Sequence, residues 1–162
     1  MSDTWLEIAA RLSLSVLVGA VIGLNRDLHH KQAGVRTNAL VSLGSALAVL
    51  ASVPPGASDA HATDVLSRVI QGILTGIGFL GAGMILHRHQ PAKIAGLTTA
   101  AAVWLTAAIG MAAGAGQLKL AWLAFALGMV LLLLGGPIER LLERLLKRPR
   151  PKPPAPPDSA TS

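Results

Sequence analysis

Residues 118–134 read LKLAWLAFALGMVLLLL, an apolar run whose single charged side chain, Lys119, is its second residue. Near the centre of an inserting helix, Leu, Ile, Phe and Val each favour the bilayer by about 0.3 to 0.6 kcal/mol, whereas one Arg or Asp opposes insertion by about 2.5 to 3.5 kcal/mol. Residues 94–114 form a second apolar run, and it contains no charged residue. These two runs therefore predict transmembrane helices.

The composition excludes an ordinary water-soluble domain. Hydrophobic residues make up 52% of the 162 positions, charged residues only 14%, and the mean hydropathy is +0.56. A soluble domain typically carries about 25% charged residues. The chain has no cysteine, which excludes a disulfide, a cysteine zinc site and a thiol nucleophile.

Three further apolar runs cover residues 5–24, 39–53 and 65–86. The run at 39–53 is shorter than the roughly 20 residues of a straight span, so a buried half-helix is an alternative there. The sequence predicts an all-α, polytopic transmembrane bundle of about five helices over residues 1–136.

Basic residues give the bundle an orientation and explain the net charge of +6 without a nucleic-acid partner. Lys and Arg are concentrated in residues 25–38, 87–93 and 140–152, whereas Arg11, Arg68 and Lys119 lie towards the opposite side. The positive-inside rule places the N-terminus outside and the C-terminus in the cytoplasm.

The C-terminal part differs from the bundle. Leucine pairs recur at helical spacing with charges between them over residues 137–148, which predicts an amphipathic helix in the membrane interface. A helix that docks on a partner is the alternative. Residues 149–162 are rich in Pro and small polar residues, which predicts a disordered tail.

Glycines recur four residues apart, a spacing that places each pair on one helix face and permits close backbone crossings. Residues 76–81 also match G-x-G-x-x-G, but no acidic residue occurs between Asp64 and Glu139, so a dinucleotide site is rejected. Bundle packing is favoured over a ligand site for the glycines. The predicted packing positions are Gly19, Gly23, Gly72, Gly76, Gly78, Gly81, Gly83, Gly110 and Gly114.

The segment 25–38 is dense in hydrogen-bonding groups, and it is predicted to be a functional polar loop on the inner side. Arg26 and Arg36 could bind lipid phosphate or a partner carboxylate, and Asp27 could pair with an arginine or coordinate a cation. A solvated topology anchor is the alternative. The candidate residues are Asn25, Arg26, Asp27, Arg36 and Thr37.

A second set of polar side chains lies inside the apolar runs and is a candidate polar pathway. It comprises Gln71, Thr98, Thr99 and Trp104. Hydroxyls that bond to their own or a neighbouring helix are the default interpretation of such residues. No nucleophile and base stand out, so we expect no enzyme and no cofactor other than Mg²⁺, with Asp27 as the weak candidate ligand.

Four ordered motifs together resemble the MgtC/SapB family of bacterial inner-membrane proteins. They begin at Gly19, Ala33, Gly76 and Gly96, and they read G-x-x-x-G-x-N-R-D, A-G-V-R-T, G-I-G-F-L-G-A-G and G-L-T-T-A-A. The resemblance implies a multi-pass protein linked to growth in low magnesium, with a regulatory role. Asn25 stands where the family usually has Glu, and the absence of a further cytoplasmic domain suggests a short member.

Two functions follow from these patterns. The first is a non-enzymatic regulator or interaction protein linked to magnesium homeostasis, whose partners are membrane lipids and other membrane proteins or a second copy of itself. The second is a Mg²⁺ transporter or channel. Magnesium is usually held through carboxylates, and none occurs in residues 65–138, which weakens the transporter hypothesis.

Overall fold

The computed structural model describes residues 5–52, 59–86 and 96–146, which fold into five α-helices and contain no strand. The helices are α1 (Trp5–Leu28), α2 (Val35–Ser52), α3 (Asp59–Leu86), α4 (Leu97–Gly114) and α5 (Leu118–Leu145). Each is long and apolar enough to cross a membrane by length and composition. The predicted all-α bundle of five transmembrane helices is confirmed.

Helix α2 begins four residues earlier than the apolar run 39–53 indicated, because its first turn includes the polar residues Arg36, Thr37 and Asn38. It comprises 18 residues, and a helix of that length is about 27 Å long, close to the roughly 30 Å of the bilayer core. The half-helix alternative for this segment is therefore not what the structure shows.

Helix α4 lies at the centre of the bundle and contacts all four other helices. It is rich in Ala, Gly and Thr, and small side chains let neighbouring helices approach closely. Ile109 and Ala113 pack with Val18 and Ile22 of α1 on one side, and Val103 packs against α3 on the other.

Glycines form the closest crossings of the bundle. Gly19 and Gly23 of α1 lie against the backbone of the start of α2, and Gly110 and Gly114 of α4 lie against the backbone of α2 at Ser42 and Ala46. A Cβ built at any of these four glycines would approach backbone atoms to less than 3 Å.

The glycines of α3 are placed differently. A Cβ at Gly81 would meet the Ala100 Cβ at 3.5 Å, an ordinary contact. A Cβ at four others would meet no heavy atom within 4 Å, namely Gly72, Gly76, Gly78 and Gly83. Most glycines of α3 therefore border open space rather than the backbone of another helix.

Helix α5 continues through residues 135–137 without a break and contains Pro137. The separate helix predicted for residues 137–148 is, as far as residue 145, the C-terminal end of α5. Its placement in the membrane interface stays a prediction. The predicted disordered tail, residues 149–162, lies outside the described residues.

Candidate functional site

A tight turn at residues 29–34 joins α1 to α2 and orders the segment that was predicted to be a polar loop. His30 adopts a left-handed φ of 51°, and Lys31 N donates to Arg26 O at 3.0 Å, the hydrogen-bond pattern of a Schellman C-cap. As a result, Asn25 and Arg26 lie in the last turns of α1 rather than in a loop. Arg36 lies in the first turn of α2.

Arg26 is buried, with only 5% of its surface exposed. Its Nη2 donates to Thr99 Oγ1 of α4 at 2.5 Å, and its Nε is buried without a hydrogen-bond partner in the described residues. Arg26 forms no ion pair with an acidic side chain of those residues. The site therefore holds a buried positive charge, and one of its N–H donors, at Nε, has no partner among the described residues.

Asn38 of α2 is fully buried and contacts α4 about two turns beyond Thr99. Its Oδ1 accepts a hydrogen bond from Thr106 Oγ1 of α4 at 3.0 Å. Its Nδ2 donates to Ala33 O at 2.5 Å and to Gly34 O at 3.1 Å, which fixes the turn before α2. One amide side chain thus joins the interior of the bundle to the α1–α2 turn.

We call five of the buried polar side chains of α1, α2 and α4 the polar core. Its members are Arg26, Asn38, Ser42, Thr99 and Thr106. The Ser42 hydroxyl is buried and has no hydrogen-bond partner in the described residues. The Thr106 hydroxyl, which has a single hydrogen, is also within 2.8 Å of Ala102 O. The polar core therefore links three helices and retains unsatisfied groups at Arg26 and Ser42.

Asp27 acts as a helix cap. Its Oδ2 accepts a hydrogen bond from Val35 N at 3.0 Å, the first residue of α2. Gly34 stands where a capping side chain is usual, and a Cβ there would overlap the Asp27 carboxylate, 2.5 Å from Oδ2. No group of three metal-binding side chains occurs in the part of the chain that the structure describes.

We expect Asp27→Ala to lower the free energy of unfolding by about 0.5 to 2 kcal/mol, because it removes the cap of α2. Asp27→Asn keeps an acceptor oxygen of the same reach and should recover most of that loss. The free energy of unfolding of each purified variant, measured in mixed detergent micelles, tests both expectations. Equal losses for the two variants would show that the negative charge, rather than the cap, is what matters.

The remaining predicted residues do not converge on one site. Of the candidate pathway, Thr99 alone belongs to the polar core, whereas Gln71, Thr98 and Trp104 are exposed on the outer faces of α3 and α4. Thr37 is exposed, like Arg36. Asn38 and Ser42 were not predicted as site residues, although their four-residue spacing places them on one face of α2.

Comparison with known proteins identifies the family. The profile described as the MgtC family matches residues 12–141. SrpB of Synechococcus elongatus is 48% identical over 123 residues, which are 72% of this chain and 68% of SrpB. YhiD of Escherichia coli K12, whose name describes a candidate magnesium transporter, is 43% identical over 118 residues, which are 70% of this chain and 54% of YhiD.

MgtC of Salmonella typhimurium is 41% identical over 108 residues, 67% of this chain and 43% of that protein. This chain therefore spans about half the length of YhiD and less than half of MgtC. No solved structure matches. The family profile covers all five helices in whole or in part, and this multi-pass membrane protein belongs to the MgtC family.

Proposed function

We propose that the protein is a non-enzymatic regulator of the bacterial inner membrane, linked to magnesium homeostasis, which acts by binding another membrane protein. The link to magnesium rests on the name of the relative YhiD and on membership of the MgtC family. The regulatory role rests on the geometry of the polar core.

The observation that carries the proposal is the buried guanidinium of Arg26. A buried charge without an ionic partner is costly, and sites that serve function are commonly less stable than they could be. Arginine binds carboxylate and phosphate groups through two parallel hydrogen bonds. We propose that an acidic side chain of the partner approaches Arg26 from the side of the α1–α2 turn.

The same residue opposes conduction of Mg²⁺ through the bundle. A fixed positive charge in a medium of low dielectric constant repels a divalent cation. In addition, Mg²⁺ is usually bound through carboxylates and water, whereas the oxygen-bearing side chains of the polar core are hydroxyls and one amide. Helices α2 and α4 are also in backbone contact at Gly110 and Gly114, so no open path separates them there.

Flux measurements test this proposal against transport, which the name of YhiD favours. Proteoliposomes that contain only this protein and a trapped Mg²⁺-sensitive dye should show no uptake above protein-free vesicles at any imposed gradient. Flux that depends on the amount of protein and is abolished by Asp27→Asn would establish the transporter instead.

Binding of the partner is tested separately in native membranes. Chemical crosslinking of the wild-type protein should recover one defined membrane protein, and the Arg26→Met variant should lose it. The Arg68→Met variant is the control. Arg68 is an exposed residue of α3 that pairs with Asp64 at 3.1 Å, and it does not belong to the polar core. Recovery of the same partner with Arg26→Met would contradict the proposal.

A further inference from the structure

A groove opens between α2, α3 and α4 at the end of the bundle where α2 begins. Its volume is about 430 Å³, within the roughly 300 to 1,000 Å³ typical of ligand pockets. The groove exists because α3 packs mainly on α4 and has few contacts with α2. The residues that shape it are Gln32, Thr37, Phe79, Leu80, Gly83 and Val103.

The lining of the groove changes in character along its length. Phe79, Leu80 and Val103 make its wall apolar, and Phe79 is 81% exposed. Gln32 and Thr37 place polar groups at the end near the α1–α2 turn. The groove thus combines an apolar wall with a polar rim, the pattern expected for an amphipathic ligand.

Two basic residues adjoin residues of the rim in the chain. Lys31 adjoins Gln32 and Arg36 adjoins Thr37 in the chain, and both basic side chains are exposed. The acidic residue of this turn, Asp27, is engaged by Val35 N as the cap of α2. Basic side chains at a membrane surface attract anionic lipid headgroups.

We propose that the groove binds an anionic phospholipid, with one acyl chain against α3 and α4 and its phosphate at Lys31, Arg36 and Thr37. An acyl chain gains little hydrophobic free energy by moving from the bilayer into a groove, because both environments are apolar. Selectivity must therefore come from the headgroup, which is where the charges lie.

The size of the groove favours a lipid over a helix of another protein. A helix about 10 Å across occupies roughly 420 Å³ for each turn of 5.4 Å. A groove of about 430 Å³ is therefore small for a helix, whereas an acyl chain is much thinner and can lie along its apolar wall.

Native mass spectrometry of the purified protein tests the proposal. The protein in detergent is incubated with equal amounts of dioleoylphosphatidylglycerol, which is anionic, and dioleoylphosphatidylcholine, which is zwitterionic. We expect preferential retention of phosphatidylglycerol. Inorganic phosphate at the same concentration should not displace it, because phosphate lacks the chain. Displacement by phosphate, or equal retention of the two lipids, would overturn the proposal.

Gly83→Leu is the groove-filling variant. Nothing lies within 4 Å of a Cβ at Gly83, so the new side chain projects into the groove without a backbone clash. Gly72→Leu is the matched control, since Gly72 lies on the same helix, is equally open and does not line the groove. We expect Gly83→Leu to lose at least fivefold of the retained phosphatidylglycerol and Gly72→Leu to retain it.

Removal of the charge tests the headgroup contact. Lys31→Gln and Arg36→Gln should each lower the preference for phosphatidylglycerol about fivefold. Lys119→Gln is the control and should leave the preference unchanged, because Lys119 is an exposed residue at the start of α5 that does not adjoin the groove. Retention of lipid by Gly83→Leu at the wild-type level would refute the proposal. So would a change of oligomer mass in that variant without a change in bound lipid, because the groove would then hold a protein helix.

Discussion

Gly110→Ala is expected to destabilise the bundle by about 2 to 3 kcal/mol, the upper part of the usual range for overpacking a core. The new methyl group would lie 2.9 Å from Ser42 Cα. Its obstacle is the backbone of α2, which cannot rotate aside as a side chain can. Helices α2 and α4 must therefore separate, and the hydrogen bond between Asn38 and Thr106, one turn away, should weaken with them.

Unfolding of the purified protein by sodium dodecyl sulfate in mixed micelles measures the effect. Gly76→Ala is the control, because Gly76 is also a glycine within a helix but has no heavy atom within 4 Å of a built Cβ. It should leave the free energy of unfolding unchanged or raise it by up to about 1 kcal/mol through higher helix propensity. Equal losses in the two variants would mean that general helix effects, rather than the α2–α4 contact, explain the result.

The glycine pattern shows how far sequence reasoning reaches. A spacing of four residues places Gly110 and Gly114 on one face of α4. By the same rule it places Gly72 and Gly76 on one face of α3. Spacing alone does not say whether another helix covers that face. In the structure the first pair meets α2 and the second meets no described residue, a difference set by which helices are neighbours.

The ends of the helices were harder to predict than the helices themselves. Hydropathy defines where apolar side chains begin, whereas α2 begins where hydrogen bonds allow it, at Val35 beneath the Asp27 carboxylate. Hydropathy therefore also predicted a loop for the polar segment 25–38, because that segment has few apolar side chains. Its donors and acceptors are instead used within helices and across the α1–α2 turn.

The functional residues were predicted in part. The density of polar groups singled out Arg26, and the threonines of the fourth run singled out Thr99, but no pattern in the sequence joined the two. They are 73 residues apart in the chain and hydrogen-bonded in the fold. Asn38 has no functional signature of its own, because an asparagine near a helix start is commonplace, and its importance comes from burial between three helices.

Arg26→Met is expected to raise the stability of the bundle by about 1 to 4 kcal/mol while abolishing binding of the partner. Methionine has a similar length and no charge. Replacement of a buried ion pair by apolar side chains of similar volume is often neutral or stabilising by that amount, and we expect a gain of the same order for a buried charge without an ionic partner. The loss of the hydrogen bond to Thr99 opposes this gain by about 1 kcal/mol. The Thr99 hydroxyl can instead donate to a carbonyl of its own helix, which limits the cost.

A gain in stability together with a loss of function distinguishes a binding residue from a structural one, since sites that serve function are commonly less stable than they could be. Arg68→Met is the matched control, because Arg68 is an exposed arginine outside the polar core. Its effect on stability should stay within about 0.5 kcal/mol, and it should retain the partner. If Arg26→Met instead lowered the free energy of unfolding by several kcal/mol, Arg26 would be a structural link between α1 and α4. The proposal that its charge is kept for a partner would then be wrong.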